Sequence, residues 1–190
     1  ALPKPNFDEF KELSDKEILA AVEKVKRVRK DNTTNTMPVI DRHILMESVD
    51  KLIKNPLKIP YMVGITNNDM YTVILARMAQ RYTKANDAYM YFFDVDAPGD
   101  DNQAFHSSDL RYAFGTLDKS FRPYGAKDYE ISKLFMDYIA EFVRCGDPNG
   151  AGRPKWISAK AAMTFSNNQV AMKSLPMLKL IRNTFMGDPK

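Results

Sequence analysis

The sequence has little of what usually announces a function at once. It holds one cysteine, Cys145, so an internal disulfide framework is excluded and nothing demands an oxidising compartment. No apolar run approaches the roughly 20 residues that span a bilayer as a helix. No signal peptide opens the chain, and Ala1 stands without an initiator Met, which leaves Met removal and processing of a longer precursor both open. The single cysteine and the missing signal favour the cytoplasm over secretion. Charge of neither sign dominates: 28 basic against 24 acidic residues leave a net +4, mixed along the chain. A nucleic-acid partner would call for a clustered basic face, so none is expected. The densest basic run, Lys24 to Lys30, reads as a solvated helix end. Repeats and low-complexity segments are absent, and histidine occurs only twice.

What is present is a globular composition, 44% hydrophobic and 27% charged over 190 residues. That suits one domain with a substantial core, or the remainder of a larger one. Ala1 to Phe10 reads as an irregular lead-in. Ser14 and Glu17 form a capping box that opens a helix, with Ile18, Leu19, Val22, Val25 and Val28 on one apolar face. A polar turn over Asp31 to Thr36 and a short helix over Met46 to Lys54 follow. Pro60 introduces an apolar run, Tyr61 to Thr66, which reads as a central parallel strand that needs neighbours on each side. A helix over Met70 to Lys84 comes next, its methionines serving as core filler. Tyr89 to Phe93 is aromatic and reads as a buried strand. Ala126 to Cys145 is the longest helix, with Tyr129, Leu134, Met136, Tyr138, Ile139, Phe142 and Val143 as its apolar face. Gly146 and Pro148 stop it, and Cys145 in its last turn reads as inert packing. Thr164 to Ser166 and Gln169 to Lys173 read as the last edge strands, and Pro176 to Met186 as a terminal amphipathic helix.

Candidate chemistry gathers after two of the strands. Pro98 and Gly99 end the aromatic strand, and a polar loop leads to His106. Ser107 or Ser108 offers an N-cap hydroxyl to a helix beginning near Asp109. His106 therefore lies on a loop at the C-terminal edge of a strand, where α/β sheets place their chemistry and a general base would be useful. Asp100 and Asp101 stand nearby, but two acids and one His on a loop are too few for a metal site. No metal and no cofactor are expected. Asp69 closes the run Asn67-Asn68-Asp69 after the Pro60 strand and would serve as an N-cap for the next helix. His43 reads as a structural or surface histidine.

The wording around His106 is more specific than its position. Ala104-Phe105-His106-Ser107-Ser108-Asp109-Leu110-Arg111-Tyr112-Ala113-Phe114-Gly115 resembles the catalytic-histidine segment of the type-B carboxylesterases. These are the α/β-hydrolases that include cholinesterase-like and bacterial para-nitrobenzyl-esterase-like enzymes. Pro38-Val39-Ile40-Asp41 is similar to another of their segments, with Arg42 where glycine is usual. Pro60-Tyr61-Met62-Val63-Gly64-Ile65 resembles the strand that precedes their triad acid. Counting five on from Gly64 reaches Asp69, where the family more often has Glu, and Met70 replaces a glycine. Gly146-Asp147-Pro148-Asn149 and Pro154-Lys155-Trp156 continue the likeness.

The resemblance implies an α/β architecture, the C-terminal portion of an α/β-hydrolase fold with a mostly parallel central sheet flanked by helices. Residues 1–190 would be one segment of a single domain, completed by an N-terminal segment not in this chain. It implies His106 as catalytic base and Asp69 as its orienting acid. Asp109 and Ser107 would support them, Asp109 facing the nucleophile region while also stabilising its own helix start. The family order is Ser, acid, His, and the first member is missing here. No serine stands between glycines two residues to either side, and with 8 glycines in all there is no glycine-rich oxyanion loop. The expected partner is thus a companion chain or N-terminal fragment carrying Gly-x-Ser-x-Gly, and the expected substrate a small carboxylic ester. The short interval between Asp69 and His106 points to a short-lidded bacterial member. The alternative is a non-catalytic cholinesterase-like binding module, against which the retention of both Asp69 and His106 argues. An autonomous α/β interaction domain is disfavoured because it would leave a sheet edge and apolar faces uncovered.

Overall fold

A computed structural model describes residues 8, 11–29, 39–52, 54–69, 72–82, 87–99, 101–157 and 161–186. The expectations for the lead-in (Asp8 aside), for the turn at Asp31 to Thr36, and for Met70, Lys84 and Asp100 lie outside these residues. The chain divides into two units, 1–48 and 49–190.

In the first unit, helix α1 covers Asp15–Arg29. Its capping box is present: Ser14 N donates to Glu17 Oε2 at 2.8 Å and Glu17 N to Ser14 Oγ at 3.4 Å. After the helix, Arg42 takes a left-handed φ of 58°, a region glycine enters without strain. His43 is exposed.

The second unit is built on a four-stranded sheet in the order β1 (Tyr61–Thr66), β2 (Ala88–Asp94), β3 (Ala162–Ser166) and β4 (Val170–Lys173). The first three strands are parallel, and β4 returns antiparallel to β3. Helix α2 (Val49–Leu52) precedes β1, α3 (Thr72–Tyr82) runs between β1 and β2, α4 (Ser108–Ala113) and α5 (Ala126–Cys145) run between β2 and β3, and α6 (Met177–Met186) follows β4. β2 is buried on both sides. Its side chains alternate, as the pleat requires: Tyr89 and Phe93 join one apolar cluster, Met90 and Phe92 the other. The first cluster is aromatic, packing Tyr112, Phe135, Tyr138, Trp156 and Phe165 with them. The second is made of smaller groups on α3 and α6, with Val73, Ala76, Ala79 and Leu180. Each large side chain so buried contributes about 1.5–3 kcal/mol.

Among the described residues β1 pairs with β2 alone, and Tyr61 to Gly64 are half-buried; the second neighbour was expected from a segment outside this chain. Three readings of the chain need correction here. β3, expected at an edge, lies between β2 and β4. The apolar face of α5 is only in part the expected one: Leu134, Tyr138, Ile139 and Phe142 pack on the core. Tyr129 and Val143 are 48% and 78% exposed, while Ile131 and Phe135 are buried beside Tyr138. Cys145 is exposed, its Sγ donating to Glu141 O at 3.3 Å, so it does not pack.

The end of α5 shows why its Gly-Asp-Pro-Asn wording matters. Gly146 takes φ 79° and its N–H donates back to Phe142 O at 2.7 Å. A Cβ there would meet Pro60 Cγ at 2.8 Å, so the helix end abuts the residue that introduces β1. Asn149 then brackets the backbone of Trp156: its Oδ1 accepts from Trp156 N at 2.7 Å and its Nδ2 donates to Trp156 O at 2.9 Å. That side chain holds the buried indole in the aromatic cluster. No helix among the described residues is long and apolar enough to cross a membrane.

Candidate active site

β1 and β2 run parallel with Gly64 opposite Tyr91, so both strands deliver their following loops to one edge of the sheet. Backbone bonds tie those loops together. Asn67 N donates to Phe93 O and Asn68 N to Ala104 O, both at 2.9 Å, and Asn68 pairs with Phe105 in an isolated parallel bridge. Asp69 and His106 are the next residue on from each member of that bridge. They are therefore neighbours, although far apart in sequence.

Asp69 Oδ1 lies 2.8 Å from His106 Nδ1. Thr66 Oγ1 donates to the other carboxylate oxygen, Asp69 Oδ2, at 3.2 Å. A carboxylate oxygen accepts, so in the neutral ring Nδ1 carries the proton and Nε2 the lone pair. The His106 side chain is 70% exposed and that of Asp69 only 14%. The acid is set back and the ring reaches outward, with Nε2 making no hydrogen bond among the described residues.

Strained backbone frames the histidine. Gln103 and Ser107 take left-handed φ values of 54° and 66°, which for residues with a Cβ costs of order 1–3 kcal/mol each. Ser107 occupies the N-cap position of α4, but its hydroxyl makes no capping bond. Ser108 is the first helical residue, and its buried hydroxyl has no partner among the described residues. The expected N-cap by Ser107 or Ser108 is thus corrected. An N-cap hydroxyl reaches the first free amides from an extended backbone, and the left-handed turn at Ser107 abandons that geometry. Arg122 braces the loop from outside. Its Nη1 donates to Pro98 O at 2.9 Å and its guanidinium stands 5.2 Å from the centre of the Phe105 ring.

Asp109 is buried in the first turn of α4, three residues beyond His106. Its Oδ2 accepts from the Tyr91 hydroxyl at 2.7 Å. Burial raises the Tyr91 phenol above its ordinary range, and the carboxylates of Asp109 and then Asp69 raise it further. The ring can cross the sheet only because its neighbour is Gly64, where a Cβ would sit 1.8 Å from Tyr91 Cζ. α4 is also tied to α5. Tyr112 OH donates to Asp128 Oδ1 at 2.7 Å, and Ser132 Oγ donates to Tyr112 O at 2.8 Å.

The sequence reading therefore placed His106, Asp69 and Asp109 in one neighbourhood, and it missed Tyr91 and Arg122. Tyr91 passed as one aromatic among several on a buried strand; only the register opposite a glycine marks it out. Asp101 is exposed, and no group of three or more His, Cys, Asp or Glu side chains among the described residues could hold a metal ion. A groove of about 630 Å³ on α5, lined in part by Lys133, Asp137, Glu141, Arg144 and Arg153, shares no residue with the His106 loop.

Known proteins agree with this architecture. The chain is 34% identical to carboxylesterase 5A of Canis lupus familiaris over 101 residues, and to that of Felis catus at the same identity and length. Those matches cover 46% of this chain and 18% of each relative, so the chain spans a minor part of their length. A PNB esterase structure superposes with a TM-score of 0.69 at 16% identity, over 92% of this chain and 50% of that one. A thermophilic PNB esterase gives 0.72 at 16%, over 93% and 50%. At such identities the likeness is one of fold, and that fold is the α/β-hydrolase. The model of the carboxylesterase family matches residues 70–179, which hold β2, the His106 loop, α4, α5 and the last two strands. With more than half of its length inside that match, this chain belongs to the carboxylesterase family.

Proposed function

We propose that the chain supplies the general base and the orienting acid of a serine ester hydrolase acting on small carboxylic esters. The observation that carries the reading is the 2.8 Å contact between His106 Nδ1 and Asp69 Oδ1 in a member of this family. It leaves Nε2 as the basic nitrogen on an exposed ring. In the proposed reaction a serine on a segment outside this chain, in a Gly-x-Ser-x-Gly turn, attacks the ester carbonyl as His106 Nε2 takes its proton. Asp69 holds the ring in the right tautomer and stabilises the imidazolium. Backbone amides of the same outside segment stabilise the oxyanion. His106 then returns the proton to the departing alkoxide, and a water activated by the same nitrogen releases the acid. Residues 1–190 are in this reading one segment of a single domain whose other segment brings the nucleophile.

The test is His106→Ala in the ester-hydrolysing assembly. Turnover should fall by several orders of magnitude, since a base of this kind contributes about 10²–10⁴-fold and acts as a unit with its serine. Retention of more than about a tenth of the activity would overturn the assignment. This chain without the serine-bearing segment should hydrolyse no ester. Adding that segment should bring activity back, and unchanged turnover without it would end the two-segment reading.

A further inference from the structure

We propose that Tyr91 is a positioning residue for His106, acting through its hydrogen bond to Asp109 and given its path across the sheet by Gly64. This rests on the reading of His106 as the base and adds to it a part that lies under the site.

Three placements support it. Tyr91 is on β2, between β1 and β3, and its ring makes edge contact with Phe135 of α5 at 4.9 Å between centroids and with Phe165 of β3 at 6.4 Å. It is thus held by the rigid core. Its hydroxyl reaches Asp109 at 2.7 Å, and Asp109 lies in the first turn of the helix that begins directly after the His106–Ser107 turn. That turn has a left-handed, non-glycine residue and no side-chain cap. α4 is only 6 residues long, so its N-terminal end has little cooperative stability of its own. A charge-assisted bond from the core to its first turn is the tether such an end lacks. Gly64 completes the device. Any side chain there would occupy the space of the phenol ring, so the glycine opposite Tyr91 keeps open the one line from β2 to Asp109. The Tyr91 hydroxyl is bonded to Asp109 and not to the imidazole, so its effect should fall on placing the ring and not on binding ester.

The test uses Tyr91→Phe, which keeps the ring and removes the hydroxyl, in the assembly that turns over ester. Turnover (kcat) should fall about 10- to 100-fold while KM stays within about twofold, the range a small misplacement of a reacting group produces. The downfield proton resonance of the His106 Nδ1–H bonded to Asp69 should broaden or vanish, which a loss of stability alone would not cause in a folded sample. Asp109→Ala should reproduce both changes, and Asp109→Asn, whose amide oxygen still accepts from the phenol, should restore most of the turnover. The Tyr91→Phe, Asp109→Ala double variant should be no worse than either single one, because the two residues act through one bond. Full turnover and an unchanged resonance in Tyr91→Phe would overturn the proposal. If Tyr91→Phe fails to fold, Asp109→Ala decides by the same two readings. A His106→Ala variant that stays active would instead sink the reading of His106 as base, and the resonance would still report whether Tyr91 positions the ring.

Discussion

Two loops at one edge of the sheet each bring an aspartate toward His106 and use it differently. After β1, Asp69 is met by the imidazole and by Thr66, at 2.8 Å and 3.2 Å, where the strand opens toward the site. In the first turn of α4, Asp109 is turned inward, buried, and met by a phenol from the core. Distance from the histidine in sequence, taken alone, would have favoured Asp109 as its partner, whereas the family wording named Asp69. The strand register gives the contact to Asp69 and leaves Asp109 holding the helix. The environment of a carboxylate, more than its identity, sets what it does.

The strongest way to break this comparison is Asp69→Asn. An amide that must donate to one ring nitrogen or accept from it no longer enforces the tautomer, and turnover should fall by about 10⁴-fold. The thermal midpoint should move little, because the pair is near the surface. A loss below tenfold in ester hydrolysis would move the orienting role elsewhere, with Asp109 the first candidate.

Next in size is Gly64→Ala, which acts on the other carboxylate through Tyr91. The added methyl overlaps the phenol ring, and overpacking of this kind costs about 1–3 kcal/mol in denaturant unfolding. Unfolding within 0.5 kcal/mol of the parent would mean that the ring swings aside freely and that Asp109 is not held by it.

Alkaline pH separates the two regions more gently. Burial and the adjoining carboxylates raise the Tyr91 phenol, so the folded chain keeps that proton after the unfolded chain begins to release it near pH 10. A raised folded-state pKa gives stability that is complete below the unfolded value and lost as pH rises through the folded one. Stability should therefore decline above about pH 10, and Tyr91→Phe should make the decline shallower. Tyr89 and Tyr138, each pushed up to about 12 chiefly by burial, should account for part of the remaining slope. An identical slope in parent and variant would show that Tyr91 titrates normally.

The smallest expected effect is that of Thr66→Val, which removes one donor from Asp69 and leaves its contact with His106. A hydrogen bond of this sort is worth about 0.5–1.5 kcal/mol, so turnover should drop by about tenfold at most. A fall as large as that of Asp69→Asn would show that Thr66, and not the strand exit, fixes the acid.

Much of the local structure could be read directly from residues. Ser14 and Glu17 announced the start of α1, and Gly146 and Pro148 the end of α5, because capping and chain reversal depend on a few adjacent side chains. The β3–β4 pair about Asn167-Asn168 was legible for the same reason. Periodicity was a weaker guide where two faces compete. Tyr129 and Val143 of α5 have the right spacing and are exposed, whereas Ile131 and Phe135 fill the core. Which arc of an amphipathic helix faces inward depends on what it meets. The hydroxyls of Ser107 and Ser108 misled for a related reason: capping depends on backbone angles that the residue types do not reveal.

Sequence by itself determined the alternation of strands and helices, the two stops of the longest helix, the family wording around His106 and the absence of a nucleophile turn. Those features depend on neighbouring residues or on a run of residue types. The family wording also named Asp69 as the acid expected beside His106, but tertiary structure alone decided that a phenol from β2 holds Asp109 and that Gly64 must be empty for it to do so. The reason is register. Side chains alternate faces along a strand, so one residue of slip between β1 and β2 would take Asp69 away from His106 and turn Tyr91 to the other side of the sheet. Nothing within either segment alone sets that register; it follows from the pairing of strands brought together by the packing of α3, α4 and α5 around them.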